Sequence, residues 1–276
     1  MKEAYNKYIS KTSTTFFAFN VWGTESAKAI IDAGRQSGHA VILQTSSRVF
    51  AELEKAEFAS WVRAYADRSG ISVYLHLDHC EDISRIEDAV RYGWDSVMLD
   101  ASKAPLKDNI LQTQQVCAYA HAQGTLVEAE VGYIGKTTIN KNEDSQEVAS
   151  IEDIKEFLSH TNIDLFAAAI GTAHGLYHGA PRIRFDLIRQ IGELTDIPFV
   201  IHGGTGLSDE TFVKLLACRN VKKINISTDV KQAYRQAVVD CWNDGRFEAN
   251  GFEATEIEKQ IRDKIRKMAL QKFAFL

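Results

Sequence analysis

Cysteine is sparse and scattered. The four residues, Cys80, Cys117, Cys218 and Cys241, form no CxxC pair and show no framework spacing, which argues against a disulfide scaffold and for free thiols in a reducing compartment. Positive charge is also in short supply. Lys and Arg number 32 against 37 Asp and Glu, for a net charge of -5, so no basic surface is implied for nucleic acid or an anionic membrane, and any phosphate must be bound locally. No run approaches 18 apolar residues, and the opening MKEAYNKYISKTSTTFF lacks an apolar signal-type core. The expectation is a cytoplasmic protein without membrane or nucleic-acid partners. Low-complexity segments, composition breaks and linkers are missing too, which favours a single domain spanning 1–276.

What is present is a rhythm. Eight short β-rich runs, at 16–21, 39–46, 71–79, 96–102, 125–132, 165–171, 198–204 and 221–228, alternate with segments such as TESAKAIIDAGRQSG and SDETFVKLLACRN. The latter open on capping or acidic residues, carry apolar positions at helical spacing and mostly close on Gly or Asn. Eight βα units predict a (β/α)8 TIM barrel, an α/β fold, with a further charged helix at about 253–272. An open doubly wound sheet is the alternative. The polar stretch YIGKTTINKNEDSQEVAS (133–150) breaks the rhythm, as lids do.

In such a barrel the reactive groups gather where the strands end. The run VYLHLDHCED (73–82) spends His76, Asp78 and His79 at one strand end, where a leucine would pack without difficulty. Other run ends carry Asn20, Ser46, Asp100, Glu128 with Glu130, and Asn225 with Ser227 and Thr228, while His174 and His202 follow or close the sixth and seventh. Three histidines from separate strand ends, His79, His174 and His202, would make a catalytic metal site with one open position. His76 could orient such a site by hydrogen bonding. The glycines of HGGTG (202–206), the hydroxyls of Thr205, Ser227 and Thr228 and the helix start after NISTD (225–229) would form an anion pocket.

The motifs HLDHC, VEAEVG, AIGTAHGLY, VIHGGTGLSDE and KINISTD, in this order and spacing, resemble the class II, metal-dependent fructose-bisphosphate and tagatose-bisphosphate aldolases. FNVWGTES near the start is similar to the first strand of that family. The resemblance implies Zn2+ or another divalent metal held by His79, His174 and His202, with Asp100 and Glu130 at an alternate metal position. It also implies Asp78 as catalytic acid/base and Glu143 of the lid as the carboxylate handling a carbon-bound proton, with Asp144 or Glu147 as substitutes. Asn20, Ser46, Gly175, Gly203, Gly204, Thr205, Asn225, Ser227 and Thr228 would line the phosphate and ketose site, with a monovalent cation near the phosphate. A phosphorylated ketose cleaved to dihydroxyacetone phosphate and an aldehyde such as glyceraldehyde 3-phosphate, on a homodimer or homotetramer, completes the implied picture.

Two features depart from the family pattern. The lid lacks the paired glycines of GGxED, and Ser227 stands where fructose-specific members have aspartate and tagatose-type members alanine. Two other chemistries lack the residues they need. A Schiff-base aldolase needs a lysine in the barrel mouth, yet LFAAAIG has none and Lys222 and Lys223 begin the last run, the wrong end. Metal hydrolase barrels open with an HxH pair that FNVWGT lacks. Another metal-dependent lyase or isomerase, or an inactive binding barrel, remains as an alternative.

Overall fold

Alternating side chains on eight strands need two places to go, an interior and a helix layer, and a closed sheet supplies both. The structure, a computed structural model, describes residues 9, 15–135, 148–175, 177, 179–248 and 252–276. In chain order the strands are β1 (Phe16–Asn20), β2 (Val41–Ser46), β3 (Val73–Cys80), β4 (Ser96–Leu99), β5 (Leu126–Val131), β6 (Leu165–Ala168), β7 (Phe199–Ile201) and β8 (Val221–Ile226). All neighbours pair in parallel, and β1 pairs with β8 as well as with β2. That closure excludes the open sheet.

The helices of the outer layer are α1 (Thr24–Ser37), α2 (Ser47–Glu52), α3 (Lys55–Ser69), α4 (Ile83–Arg91), α5 (Leu106–His121), α6 (Ile151–His160), α7 (Phe185–Leu194), α8 (Asp209–Leu216) and α9 (Thr228–Asn243), with α10 (Ala254–Phe273) added at the C-terminal end. Their ends follow from local chemistry. Asp82, Ser150 and Ser208 cap the starts of α4, α6 and α8 by accepting from backbone N–H groups, while Gly38 and Gly70 close α1 and α3 in the left-handed region. None of the described helices is long and apolar enough to cross a membrane.

Inside the barrel an apolar plug of Phe16, Ala18, Ile42, Tyr74, Leu126, Leu165, Ala167 and Val200 fills the lower layers. Above it, period-two alternation continues the same faces as polar groups: Asn20 and Gln44 over Ala18 and Ile42, and His76 and Asp78 over Tyr74. The plug holds the barrel shut, so the polar layer is free to serve chemistry. Outside, the larger core packs helices on strands around fully buried Trp94, Phe17, Phe19 and Phe166.

Several strands stop short of their expected ends. β4, β6, β7 and β8 end at Leu99, Ala168, Ile201 and Ile226, because backbone turns take over at once. Gly171 and Gly203 adopt φ of 88° and 72°, values that a β-strand does not use. The short α2 was not anticipated. Most of the long connection, 136–147 with Glu143, Asp144 and Glu147, lies outside the described residues, as does His178.

Candidate active site

Asp78 and His79 are neighbours on one strand, so regular pleating would send one inward and the other to the helix layer. The β3–β4 register shifts between Leu77 and Cys80, and His79 sits at φ 47°, the one described non-glycine residue with positive φ. This bulge turns His79 toward the mouth beside the inward Asp78. Such strain is held only where the surroundings enforce it, and here Asp100 Oδ2 lies 2.7 Å from His79 Nδ1.

His174, on the turn after β6, and His202, just past β7, complete a cluster whose ligand atoms all lie within 4.8 Å of one another. The ring centroids of His79 stand 4.7 Å from His174 and 4.5 Å from His202. Nδ1 of His79 is taken by Asp100 and Nε2 of His202 lies 3.0 Å from Glu128 Oε1, which leaves His79 Nε2 and His202 Nδ1 facing each other at 2.7 Å. Three imidazole nitrogens converging in this way, two of them oriented from behind by carboxylates, form a donor set that suits zinc or a similar divalent ion.

Asp78 is buried, and its carboxylate accepts from Asn20 Nδ2 at 2.9 Å and Asn225 Nδ2 at 3.3 Å. Burial opposes its ionisation, but the charges of His79, His202 and Lys223 and the Asn20 amide outweigh it and lower its pKa. Burial likewise opposes a charged His79, yet Asp78, Asp100 and Glu130 raise its pKa to about 9. Glu130 moves the other way. Its burial dominates and pushes it up to about 8, against the pull of His79.

Beneath the cluster lies a network that the sequence had not disclosed. Lys223, read as sitting at the wrong end of its strand, is fully buried in the barrel interior and donates to Glu128 Oε2 at 2.7 Å. Glu128 therefore bridges a buried cation and His202. His76 is fully buried too, with Nδ1 2.8 Å from Ser96 Oγ and Nε2 3.7 Å from Glu128 Oε2, so it lines this network rather than the cluster. The only signal available was alternation, which puts Glu128 on the face of Glu130 and Lys223 on the face of Asn225.

The other expected residues divide into groups. Asn20 and Asn225 join Asp78, and Gln44, not singled out before, donates to Asn20 Oδ1 at 3.1 Å. Asp100 and Glu130 stand beside the cluster without entering it: Asp100 bonds His79 and Ser102, and Glu130 Oε1 accepts from Ile134 N–H. Ser46 caps α2, its hydroxyl accepting from Val49 N–H. Gly203, Gly204 and Thr205 pass under the start of α9, where Thr205 Oγ1 accepts from Asp229 N–H at 3.2 Å. Ser227 and Thr228 open that helix. A Cβ at Gly204 would stand 2.7 Å from Ile224 and 2.8 Å from the Asn225 carbonyl, so the backbone approach there requires glycine. Gly175, at φ 114°, turns the chain directly after His174.

The buried oxygens Gln44 Oε1, Asn225 Oδ1, Thr172 Oγ1 and Glu130 Oε2 have no hydrogen-bond partner among the described residues. Asn225 Oδ1 is the one whose side chain also reaches Asp78 and His202, where a polyhydroxy ligand would satisfy it.

The family model described as fructose-bisphosphate aldolase class-II matches residues 2–276. A 6-phospho-5-dehydro-2-deoxy-D-gluconate aldolase of Shouchella clausii (strain KSM-K16) is 36% identical over 230 residues, covering 82% of this chain and 78% of that protein. Among solved structures, the YdjI aldolase of Escherichia coli K12 superimposes with a TM-score of 0.83 at 26% identity, covering 98% of this chain and 94% of that one. A fructose-bisphosphate aldolase from Campylobacter jejuni gives 0.81 at 22% identity over 99% and 93%, a likeness of fold.

Proposed function

The chain belongs to the class II fructose-bisphosphate aldolase family and is a carbon–carbon lyase, and from that premise we propose that it reversibly cleaves a phosphorylated ketose into dihydroxyacetone phosphate and an aldehyde. The observation that carries this reading is the convergence of His79, His174 and His202 with Asp78 held alongside. The three histidines would hold Zn2+ or a related divalent ion, whose role when bound is that of a Lewis acid on the ketose oxygens.

The chain's own groups do the rest. Asp78, fixed by Asn20 and Asn225, takes the proton of the C4 hydroxyl as the C3–C4 bond breaks, and returns it on condensation. The electron pair of that bond stays with the three-carbon half, delocalised into its carbonyl. Glu143, outside the described residues, is the proposed carboxylate for the proton that then arrives at C3. Gly203, Gly204, Thr205, Ser227 and Thr228, at the start of α9, would bind the phosphate through backbone N–H groups and hydroxyls, with a monovalent cation nearby, and so hold the reacting carbons in register. The open oxygen of Asn225, beside Asp78, suits a ketose hydroxyl. Asp100 and Glu130 are the proposed alternate metal position.

Likeness to the Shouchella enzyme favours a second aldehyde besides glyceraldehyde 3-phosphate. Cleaving a substrate of that kind between C3 and C4 would leave 3-oxopropanoate, a carboxylated aldehyde. A cytoplasmic location agrees with four free cysteines, and self-association as a homodimer or homotetramer agrees with exposed Trp242 and Phe252.

The test is an aldol screen with dihydroxyacetone phosphate against both aldehydes, read by product mass. Chelator should abolish product formation and a divalent ion restore it, and borohydride should trap no adduct. A lysine adduct, or activity indifferent to chelator, would overturn the metal reading.

A further inference from the structure

Tyr177 belongs to the AIGTAHGLY stretch, yet no role above uses it. Its hydroxyl accepts a hydrogen bond from Ala173 N–H at 2.9 Å and donates one to the Gly203 carbonyl at 2.9 Å. Ala173 immediately precedes His174, and Gly203 immediately follows His202. One oxygen atom therefore joins the two turns that carry two of the three clustered histidines. The turns are already in backbone contact, since a Cβ at Gly203 would stand 2.4 Å from the Ala173 carbonyl oxygen. Gly203 is also the first glycine of the phosphate turn.

The geometry points to Tyr177 as a positioning residue: its hydroxyl fixes the separation of His174 and His202 and ties the metal cluster to the phosphate turn. Only a group that donates and accepts at once can do this. Tyrosine qualifies and phenylalanine does not. Burial pushes the hydroxyl up to about 12, so the donating proton is retained at neutral pH. Without it, a backbone N–H and a C=O beside the site lose their partner, and the two turns are free to shift by fractions of an ångström. A three-nitrogen donor set is sensitive to such shifts, because groups behind metal ligands typically govern affinity by tenfold or more.

The inference rests on the metal reading proposed above, and the test separates the two. Zn2+ affinity is measured by chelator competition in wild type, Tyr177→Phe, Tyr65→Phe and His174→Ala, and the Co2+-loaded forms are compared by visible absorption. Tyr65→Phe is the control, since it removes a hydroxyl that donates to Asp32 between outer helices. Tyr177→Phe should remain folded, bind Zn2+ about tenfold more weakly and show an altered Co2+ spectrum, with KM for the phosphorylated substrate raised. Tyr65→Phe should match wild type in metal affinity and spectrum. Wild-type affinity and spectrum in Tyr177→Phe, even with lowered thermal stability, would make the hydroxyl a structural bond only and overturn the proposal. An equal loss in Tyr65→Phe would overturn it as well. If His174→Ala binds Zn2+ like wild type, the three-histidine reading itself falls.

Discussion

At the scale of single residues, Asp78 tests the chemistry most directly. Its carboxylate is buried and faces two amide donors, so asparagine fits the same space but cannot carry a proton. Asp78→Asn should keep bound metal and lower kcat by about 100-fold or more, the scale of a lost acid/base group. Steady-state kinetics with metal analysis checks this, and near-normal turnover would reduce Asp78 to a structural anchor. Asp78 and His79 were legible because three titratable side chains in four positions contradict a strand that is otherwise built to be buried. Glu128 and Lys223 were not. They are 95 positions apart, and each alone reads as one more charged residue; only barrel closure brings them together beneath His202. The distortion at His79 was equally hidden, because a bulge depends on the neighbouring strand and leaves no local pattern.

At the scale of elements, strand existence was visible from alternation and helix existence from apolar spacing, and the barrel followed from their count. Ends were less visible, since β6 and β7 stop where glycines at positive φ and backbone contacts between loops take over. The six-residue α2 is too short to show a helical period, and its cap Ser46 doubles as the last residue of β2. The span of α10 was read to within a residue at each end, but not its docking. Phe273 in its last turn is buried against Phe17 and Phe19, at 6.3 and 5.5 Å between ring centroids, and stacks on His39. One residue earlier, Lys272 lies 2.9 Å from Asp229 at the start of α9. The last helix thus closes the outer core over β1 and braces the start of α9, where Ser227 and Thr228 lie. Phe273→Ala should cost about 3–5 kcal/mol, the usual loss for a buried phenylalanine, measured by urea denaturation. A loss below about 1 kcal/mol would show that α10 merely rests on the barrel.

At the scale of the whole molecule, stability and metal binding have separate foundations. The interior is closed by the apolar plug and the outer layer by the helix core, whereas the histidines sit above both, at strand ends, with His79 and His174 only partly buried. The metal-free protein should therefore stay folded, and a bound ion should add stability by mass action rather than create the fold. At Zn2+ one hundred times its dissociation constant the gain is about 2.7 kcal/mol. For a domain of this size each kcal/mol shifts Tm by roughly 2–4 °C, so a rise of about 5–10 °C is expected in calorimetry. His174→Ala leaves the plug and the outer core intact, so its metal-free Tm should lie within a few degrees of the metal-free wild type while the Zn2+-dependent rise largely disappears. A full rise in that variant would remove His174 from the ligand set. A collapse of its metal-free Tm would mean instead that the imidazole packs as core, and that the polar layer helps to hold the barrel closed.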